Sequence, residues 1–453
     1  MRVALVSPAW KMENPYPPLG LAYIGAVLEE HGHTVKIFDL TLEQGAEERT
    51  GEVVRFSPDI IGISAMSHSY ESALRIAGSL KTRTGASIVL GGPHPTIMPQ
   101  EALGKEFVDF VVIGEGEETF LRICENFQSK SFHGVDGLCY KEYGKAVIQQ
   151  KKNFINDLDV LPFPARHLLK LEKYKLEDDY GNRMATIISS RGCPYGCTYC
   201  YKGLFGRTYR QRSPENIIEE IKYCIDKFHY SSFYFVDDLF TLNPKRVEQL
   251  TAAMRREKLD IRWQCLARVN SATPQMFKQM RASGCYKVHF GIESGSQSVL
   301  NKVKKGITLD QVRWAVMYCR DAGIKTKGYF MLGMPGDTVD TMQDTLDFAG
   351  ELGLDDAMFS ITTPFPGTEL WENIDKSRIG PISSAFYYLD ASGSDVNIFY
   401  NLSQAADADI MEMARKARQI TDAVKLKTFC ERRFGKRLGF LAWQLSRVQV
   451  LKK

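Results

Sequence analysis

Ser189-Ser-Arg-Gly-Cys-Pro-Tyr-Gly-Cys-Thr-Tyr-Cys-Tyr201 places Cys193, Cys197 and Cys200 within one short loop shaped by Gly192, Pro194 and Gly196. Three thiolates so close suit a metal cluster. An iron–sulfur cube normally takes four cysteines, so three leave one iron open for a small molecule. A structural zinc site needs a fourth ligand, and no fourth cysteine follows at finger-like spacing. His167 and His229 are the nearest histidines, both distant in sequence, although folding could bring one close. Three unrelated core cysteines are the remaining reading, but core cysteines rarely fall so regularly.

The surrounding chain bounds the answer. Its 453 residues exceed one ordinary core, so two or three domains are expected. At 44% hydrophobic and a quarter charged it has ordinary globular composition, and a net charge of +4 gives no argument for nucleic acid. Met1–Pro8 reads as a buried strand without a signal-peptide apolar region, and no apolar run is long enough to span a bilayer. A cytoplasmic protein is therefore expected. The other seven cysteines (Cys124, Cys139, Cys224, Cys265, Cys285, Cys319, Cys430) lie in apolar segments and read as core thiols.

In the first 150 residues, β-branched runs at 3–6, 35–38, 59–63, 87–90 and 110–113 alternate with helical patterns at 20–31, 69–84 and 117–127. This predicts a doubly wound parallel sheet with a ligand at the C-terminal strand edge. Ser7-Pro-Ala-Trp10 follows the first strand where a dinucleotide fold needs G-x-G-x-x-G, which argues against NAD or FAD. Ser64 stands where a phosphoacceptor receiver needs aspartate. The strand ends carry small polar residues (Ser64-Ala-Met-Ser67, Gly91-Gly-Pro-His94, Gly114-Glu-Gly-Glu117) that let the backbone approach a large flat ligand.

A second β/α series predicts strands at 186–189, 232–236, 261–265, 288–292, 327–332 and 357–361. Pro214 and Pro274 suit first helical turns, and Gly284 and Gly323 suit helix C-caps. The strand ends carry the cysteine loop, Asp237-Asp238, Ala267-Arg268, Glu293-Ser294, Gly333–Gly336 and Thr362–Gly367, the rim where parallel barrels gather their chemistry. Taken singly, Asp237-Asp238 could cap a helix before Pro244 and Arg268 could be a surface ion pair. The basic, aromatic stretch Gly203–Ser213 could cover the site, bind an anionic substrate or be a solvated loop.

The C-x3-C-x2-C loop, with Tyr199 before its last cysteine, and the ordered strand ends resemble the radical S-adenosylmethionine (SAM) enzymes. The resemblance implies a [4Fe–4S] cluster on Cys193, Cys197 and Cys200, whose open iron chelates SAM, and reductive cleavage of SAM to a 5'-deoxyadenosyl radical. It further implies that Asp237 and Asp238 hold the SAM amino group and that Arg268 reaches the carboxylate. Glu293 and Ser294 would contact the ribose or methionine part, with Gly328 and Gly333 near the adenine. Tyr199 joins this SAM-binding set. A zwitterion needs acceptors for its ammonium and a donor for its carboxylate, as this set provides.

Residues 1–130, with Pro17-Pro-Leu-Gly20 and the strand ends above, look like the cobalamin-binding domain that precedes many radical SAM cores. The resemblance implies cobalamin contacts at Leu19, Gly20, Ser64, Ser67, Gly91, Gly92, His94, Gly114 and Glu115. The D-x-H-x-x-G motif that supplies a cobalt ligand elsewhere is absent, since Leu40 and Thr41 follow Asp39. Neither His68 nor His94 is assigned as a lower-face ligand.

The expected fold is α/β: a doubly wound parallel-sheet cobalamin-binding domain (1–133), a connector (134–182), a partial (β/α)6 radical SAM barrel (183–375) and a short helical, basic C-terminal region (376–453). From Lys425 to Lys453, nine basic residues accompany one acid, Glu431, with Leu438, Phe440, Leu441, Trp443 and Leu445 as apolar anchors. Such a segment suits either peripheral contact with an anionic membrane or a helix docked on the barrel. The resemblance implies methylation of an unactivated carbon of a small-molecule or lipid substrate, with a low-potential electron donor of flavodoxin or ferredoxin type and no nucleic acid. Alternatives are a cobalamin-dependent radical cyclase or oxidative rearrangement enzyme and, from another class, a cobalamin- or redox-sensing binding protein. No auxiliary cysteine cluster is present in the C-terminal region.

Overall fold

Short runs of Val, Ile and Leu build the first sheet because a parallel strand covered on both faces must be apolar throughout. The structure, a computed structural model, describes residues 1–9, 14–42, 46–379, 398–426 and 430. Strands Arg2–Ser7 (β1), Thr34–Asp39 (β2), Ile60–Ser64 (β3), Ser87–Gly91 (β4) and Phe110–Val112 (β5) are parallel, in the order β2-β1-β3-β4-β5. The order reverses at β1, which makes the crevice beyond β1 and β3 the topological switch point.

The sheet continues past β5. Leu138–Glu142 (β6) and Lys145–Ile148 (β7) add antiparallel strands, so residues 138–148 extend the sheet beyond the run expected from sequence. The polar helix Ala46–Phe56 precedes β3 and is not among the helices expected from sequence. Two buried clusters cover the sheet faces, one containing Val6, Ile61, Ile63, Leu90 and Val111, the other Val3, Leu5, Ile60, Val89 and Val112.

Next come Met184–Ile187 (β8), Ser190–Arg191 (β9) and Arg210–Gln211 (β10), the last two paired antiparallel. Ser232–Phe235 (β11), Arg262–Ala267 (β12), Cys285–Glu293 (β13), Lys325–Leu332 (β14) and Asp356–Ile361 (β15) complete a six-stranded sheet in the order β15-β14-β13-β12-β11-β8. All six strands expected from sequence are present. Pro214 and Pro274 open helices, and Gly284 (φ +98°) and Gly323 (φ +72°) follow helix ends in the left-handed conformation. A helix at 407–426 follows, while most of the basic stretch from Lys425 lies outside the described residues. Among the described residues no helix is long and apolar enough to cross a membrane.

The described residues divide into two compact units, one within 1–194, 201–232 and 365–379, the other within 195–200, 233–364, 398–426 and 430. Inside the first unit lies a buried ionic network. Arg191 reaches Glu115 at 2.9 Å and Glu117 at 2.6 Å, and Arg210 reaches Glu115 at 2.8 and 2.9 Å. Arg166 bonds Glu220 at 2.6 Å, and Arg212 pairs with the same carboxylate. Burial opposes ionisation of Glu117 and Glu220, but the arginines outweigh it and hold both carboxyls below their ordinary range. Arg210 and Arg212 are thus neither solvated nor displayed to a substrate. The cysteines outside the loop are buried and unbridged, and burial pushes Cys124 up to about 12 and Cys139 and Cys224 to about 11.

Removing one partner of such a pair leaves a buried charge uncompensated. Glu115→Ala is expected to lower stability by about 3–5 kcal/mol in urea denaturation, with Glu115→Gln less damaging.

Candidate active site

At the C-terminal edge of the first sheet, the ends of β3, β4 and β5 lie side by side, with Ser64 in register with Gly91. Gly92 has φ +91°, and a Cβ there would stand 2.8 Å from Ser64 Oγ and 3.0 Å from the Ala65 backbone, so glycine is required. Gly114 (φ +74°) donates its N–H to Thr96 Oγ1 at 3.0 Å. Leu19 is buried at the start of the helix Leu19–Glu30, and Gly20 faces open space. His94 is buried, its Nδ1 3.1 Å from Ser67 Oγ and its ring 3.9 Å from that of Tyr70. The structure gives the Glu115 side chain a different task from the one its position implied. Its oxygens face Arg191, Arg210 and the Ile155 N–H, leaving the backbone of 114–115 at the strand edge.

In the second unit, Arg268 follows β12 and is 7% exposed. Its guanidinium lies 3.7 Å above the Tyr195 ring, and Nη1 lies 3.7 Å from Cys197 Sγ. Its Nε and Nη2 are buried without hydrogen-bond partners. Two orphaned donors in one buried guanidinium cost roughly 1–3 kcal/mol each unless an acceptor arrives. A carboxylate fits that need in charge, number and fork geometry.

Glu293 is buried at the end of β13 with φ +74°, a left-handed conformation unusual for a residue with a side chain, and β13 slips register against β14 there. Its Oε1 accepts from Lys305 Nζ at 2.7 Å, and the same ammonium donates to Tyr199 OH at 3.1 Å. Burial, then the Glu293 charge, pushes the Tyr199 phenol well above its ordinary value. Lys305 carries no motif of its own and was not found from sequence.

Other expected contacts divide. Asp237 is buried and Asp238 exposed just after β11, and neither caps the next helix, where Asn243 accepts from the Arg246 N–H. Ser294 is buried, its hydroxyl 3.1 Å from Thr345 Oγ1 and accepting the Ser296 N–H. Gly328 sits in the core, where a Cβ would meet Leu354 at 2.7 Å, and Gly333 (φ +76°) packs beside Ile410 of the 407–426 helix. Both glycines therefore have packing reasons of their own.

Cys193 and Cys197 are buried and Cys200 is exposed. Among the described residues no three His, Cys, Asp or Glu side chains are gathered closely enough to hold a metal ion. A cluster there would need all three as thiolates, so its binding would be coupled to loss of their protons.

Comparison with known proteins meets this geometry. Residues 187–349 match the radical SAM superfamily, and residues 9–123 match the B12 binding domain. An uncharacterized methyltransferase of Pyrococcus horikoshii is 37% identical, over 79% of this chain and 78% of its own. The anaerobic magnesium-protoporphyrin IX monomethyl ester cyclase of Rubrivivax gelatinosus is 28% identical, over 83% and 70%. A radical SAM methyltransferase from Kitasatospora setae, solved with cobalamin and a [4Fe-4S] cluster bound, shares the fold with a TM-score of 0.70 at 22% identity, over 82% of this chain and 73% of that one. The chain belongs to the radical SAM superfamily, among the members that carry a B12-binding domain. It is a cobalamin-dependent radical SAM enzyme, and its cofactors are a [4Fe–4S] cluster, SAM and cobalamin.

Burial pushes His68 and His94 down to about 4, so both are neutral at pH 7. An unfolded histidine titrates near 6.5. Between these values only the unfolded chain takes up the protons, so the contribution to stability is complete above pH 6.5 and lost as pH falls towards 4. Urea titrations from pH 7.5 to 4.5 should show His94→Gln losing less stability than wild type over that window.

Proposed function

We propose that this enzyme transfers a methyl group to an unactivated carbon of a small-molecule or lipid substrate, drawing electrons from a low-potential donor of flavodoxin or ferredoxin type. The observation that carries the reading is the buried Arg268 guanidinium, with two unpartnered N–H groups, against the sulfur of Cys197. The 37% identity to a methyltransferase supports the methyl-transfer outcome.

Cys193, Cys197 and Cys200 hold the cluster, and Arg268 takes the SAM carboxylate on Nε and Nη2. Asp237, with Asp238 beside it, accepts from the SAM ammonium. Glu293 would contact the ribose or methionine part, and Tyr199 would join the SAM-binding set. The backbone of 64–67, 91–94 and 114–115, with Leu19 and Gly20, forms the cobalamin bed. When bound, these cofactors supply one-electron reductive cleavage of SAM, hydrogen-atom abstraction and a transferable methyl group. The chain's own residues bind, orient and exclude water. We place the domain boundaries after β7, at 182 and at 375; the first lies beyond the 133 expected from sequence because β6 and β7 complete the first sheet.

Arg268→Met is expected to weaken SAM binding at least tenfold, about 1.4 kcal/mol, in equilibrium dialysis of the reconstituted protein, with cobalamin content unchanged. Methylation yields both 5'-deoxyadenosine and S-adenosylhomocysteine, because a methyl group leaves SAM. Turnover with methyl-deuterated SAM should place the label in product. Deoxyadenosine with an unlabelled product that has lost hydrogens would instead support the cyclase chemistry of the Rubrivivax relative.

A further inference from the structure

Lys305 stands in a turn built to aim it inward. Lys304 (φ +54°) and Gly306 (φ +64°) on either side are left-handed, and the Lys305 N–H bonds the Leu300 carbonyl at 2.9 Å. The same turn touches the cluster loop, since the Thr198 N–H bonds the Val303 carbonyl at 3.1 Å. Lys305 is only 6% exposed, and its ammonium is shared between Glu293 and Tyr199. A buried lysine needs a charge partner, and Glu293 meets it from a left-handed backbone, a conformation that persists where the surroundings over-determine it.

Two glycines make room for the arrangement. A Cβ on Gly291 would stand 2.6 Å from Glu293 Oε1 and 3.0 Å from Lys305 Nζ, and one on Gly306 would stand 3.4 Å from Arg268 Nη2. Two buried cations, Arg268 and Lys305, therefore flank the loop that carries Cys197 and Cys200. Arg268 offers unpartnered donors, whereas Lys305 is engaged by protein groups. The difference separates a ligand-binding cation from an orienting one.

We propose that Lys305 is a positioning residue of the SAM site: its ammonium fixes the Glu293 carboxylate and the Tyr199 hydroxyl beside the cluster loop and sets how Glu293 meets the ribose or methionine part of SAM. The inference rests on the SAM-binding roles proposed above for Glu293 and Tyr199. A second consequence follows from charge alone. Glu293 balances the Lys305 charge, so loss of the ammonium leaves an unpaired carboxylate beside the loop, which disfavours the more negative, reduced cluster and moves the midpoint potential down.

The test compares wild type, Lys305→Met, Lys305→Arg and Glu293→Gln as reconstituted, cobalamin-loaded enzyme. SAM affinity is read by equilibrium dialysis and the cluster midpoint by redox titration followed by electron paramagnetic resonance. Lys305→Met is expected to weaken SAM binding at least tenfold and to lower the midpoint, with iron, sulfide and cobalamin content as in wild type. Lys305→Arg should restore most of both. Wild-type SAM affinity and midpoint in Lys305→Met overturn the proposal. Should Lys305→Met fail to fold, the remaining pair decides: tenfold weaker SAM binding in Glu293→Gln with near-normal binding in Lys305→Arg supports the proposal, and equal binding in both overturns it. A wild-type protein that takes up its cluster yet binds no SAM defeats the functional reading itself, a result distinct from either.

Discussion

The charge compensation of Glu115 and Glu117 by Arg191 and Arg210 is the constraint on which the first unit depends. Glu115 on the loop after β5, Glu117 at the start of the helix Glu117–Glu125, and two arginines on the β9–β10 pair are buried together, joining segments far apart in sequence. None of these charges is tolerable alone in that environment. The loop at the edge of the cobalamin-binding sheet is thereby tied to the strand that ends two residues before Cys193. A second buried set, Arg166 and Arg212 on Glu220, fixes the helix Pro214–Phe228 in the same unit. Positioning by buried ion pairs is demanding: fully matched, such a network holds a single arrangement; with one member missing it works against the fold.

The SAM side follows a different electrostatic principle. Arg268 is incompletely satisfied by protein, and its orphaned N–H groups make the rim of β12 receptive to an anion. Glu293 and Lys305 neutralise each other nearby, so the local excess of positive charge resides on Arg268. A zwitterionic ligand that brings its own carboxylate completes this set, and SAM is such a ligand.

Much of this was readable in the chain. The strands of both sheets were visible because buried parallel strands are short β-branched runs, and the cysteine loop because its ligands are close in sequence. The antiparallel pair β6–β7 was hidden in mixed, charged sequence (Lys141-Glu-Tyr-Gly-Lys145). The helix Ala46–Phe56 was hidden by its polarity. Glu115 looked like a ligand contact because it sits in a strand-end loop, and only the fold brings Arg191 and Arg210 to it. Gly328 and Gly333, placed near the adenine by the resemblance, also lie against Leu354 and Ile410, contacts that no local pattern announces. Lys305 could not be found because its partners, Tyr199 and Glu293, are separated from it by 106 and 12 residues. Long-range electrostatics, more than local pattern, escaped the sequence.

The central claim is that one chain holds a cluster, SAM and cobalamin for radical chemistry. Its most direct test is anaerobic reconstitution with iron, sulfide and hydroxocobalamin, followed by gel filtration and an assay of 5'-deoxyadenosine with SAM and a low-potential reductant, with Cys197→Ala as control. The account predicts cobalamin that travels with the protein and deoxyadenosine from the wild type alone. A cluster-loaded protein that retains neither SAM nor cobalamin would contradict it.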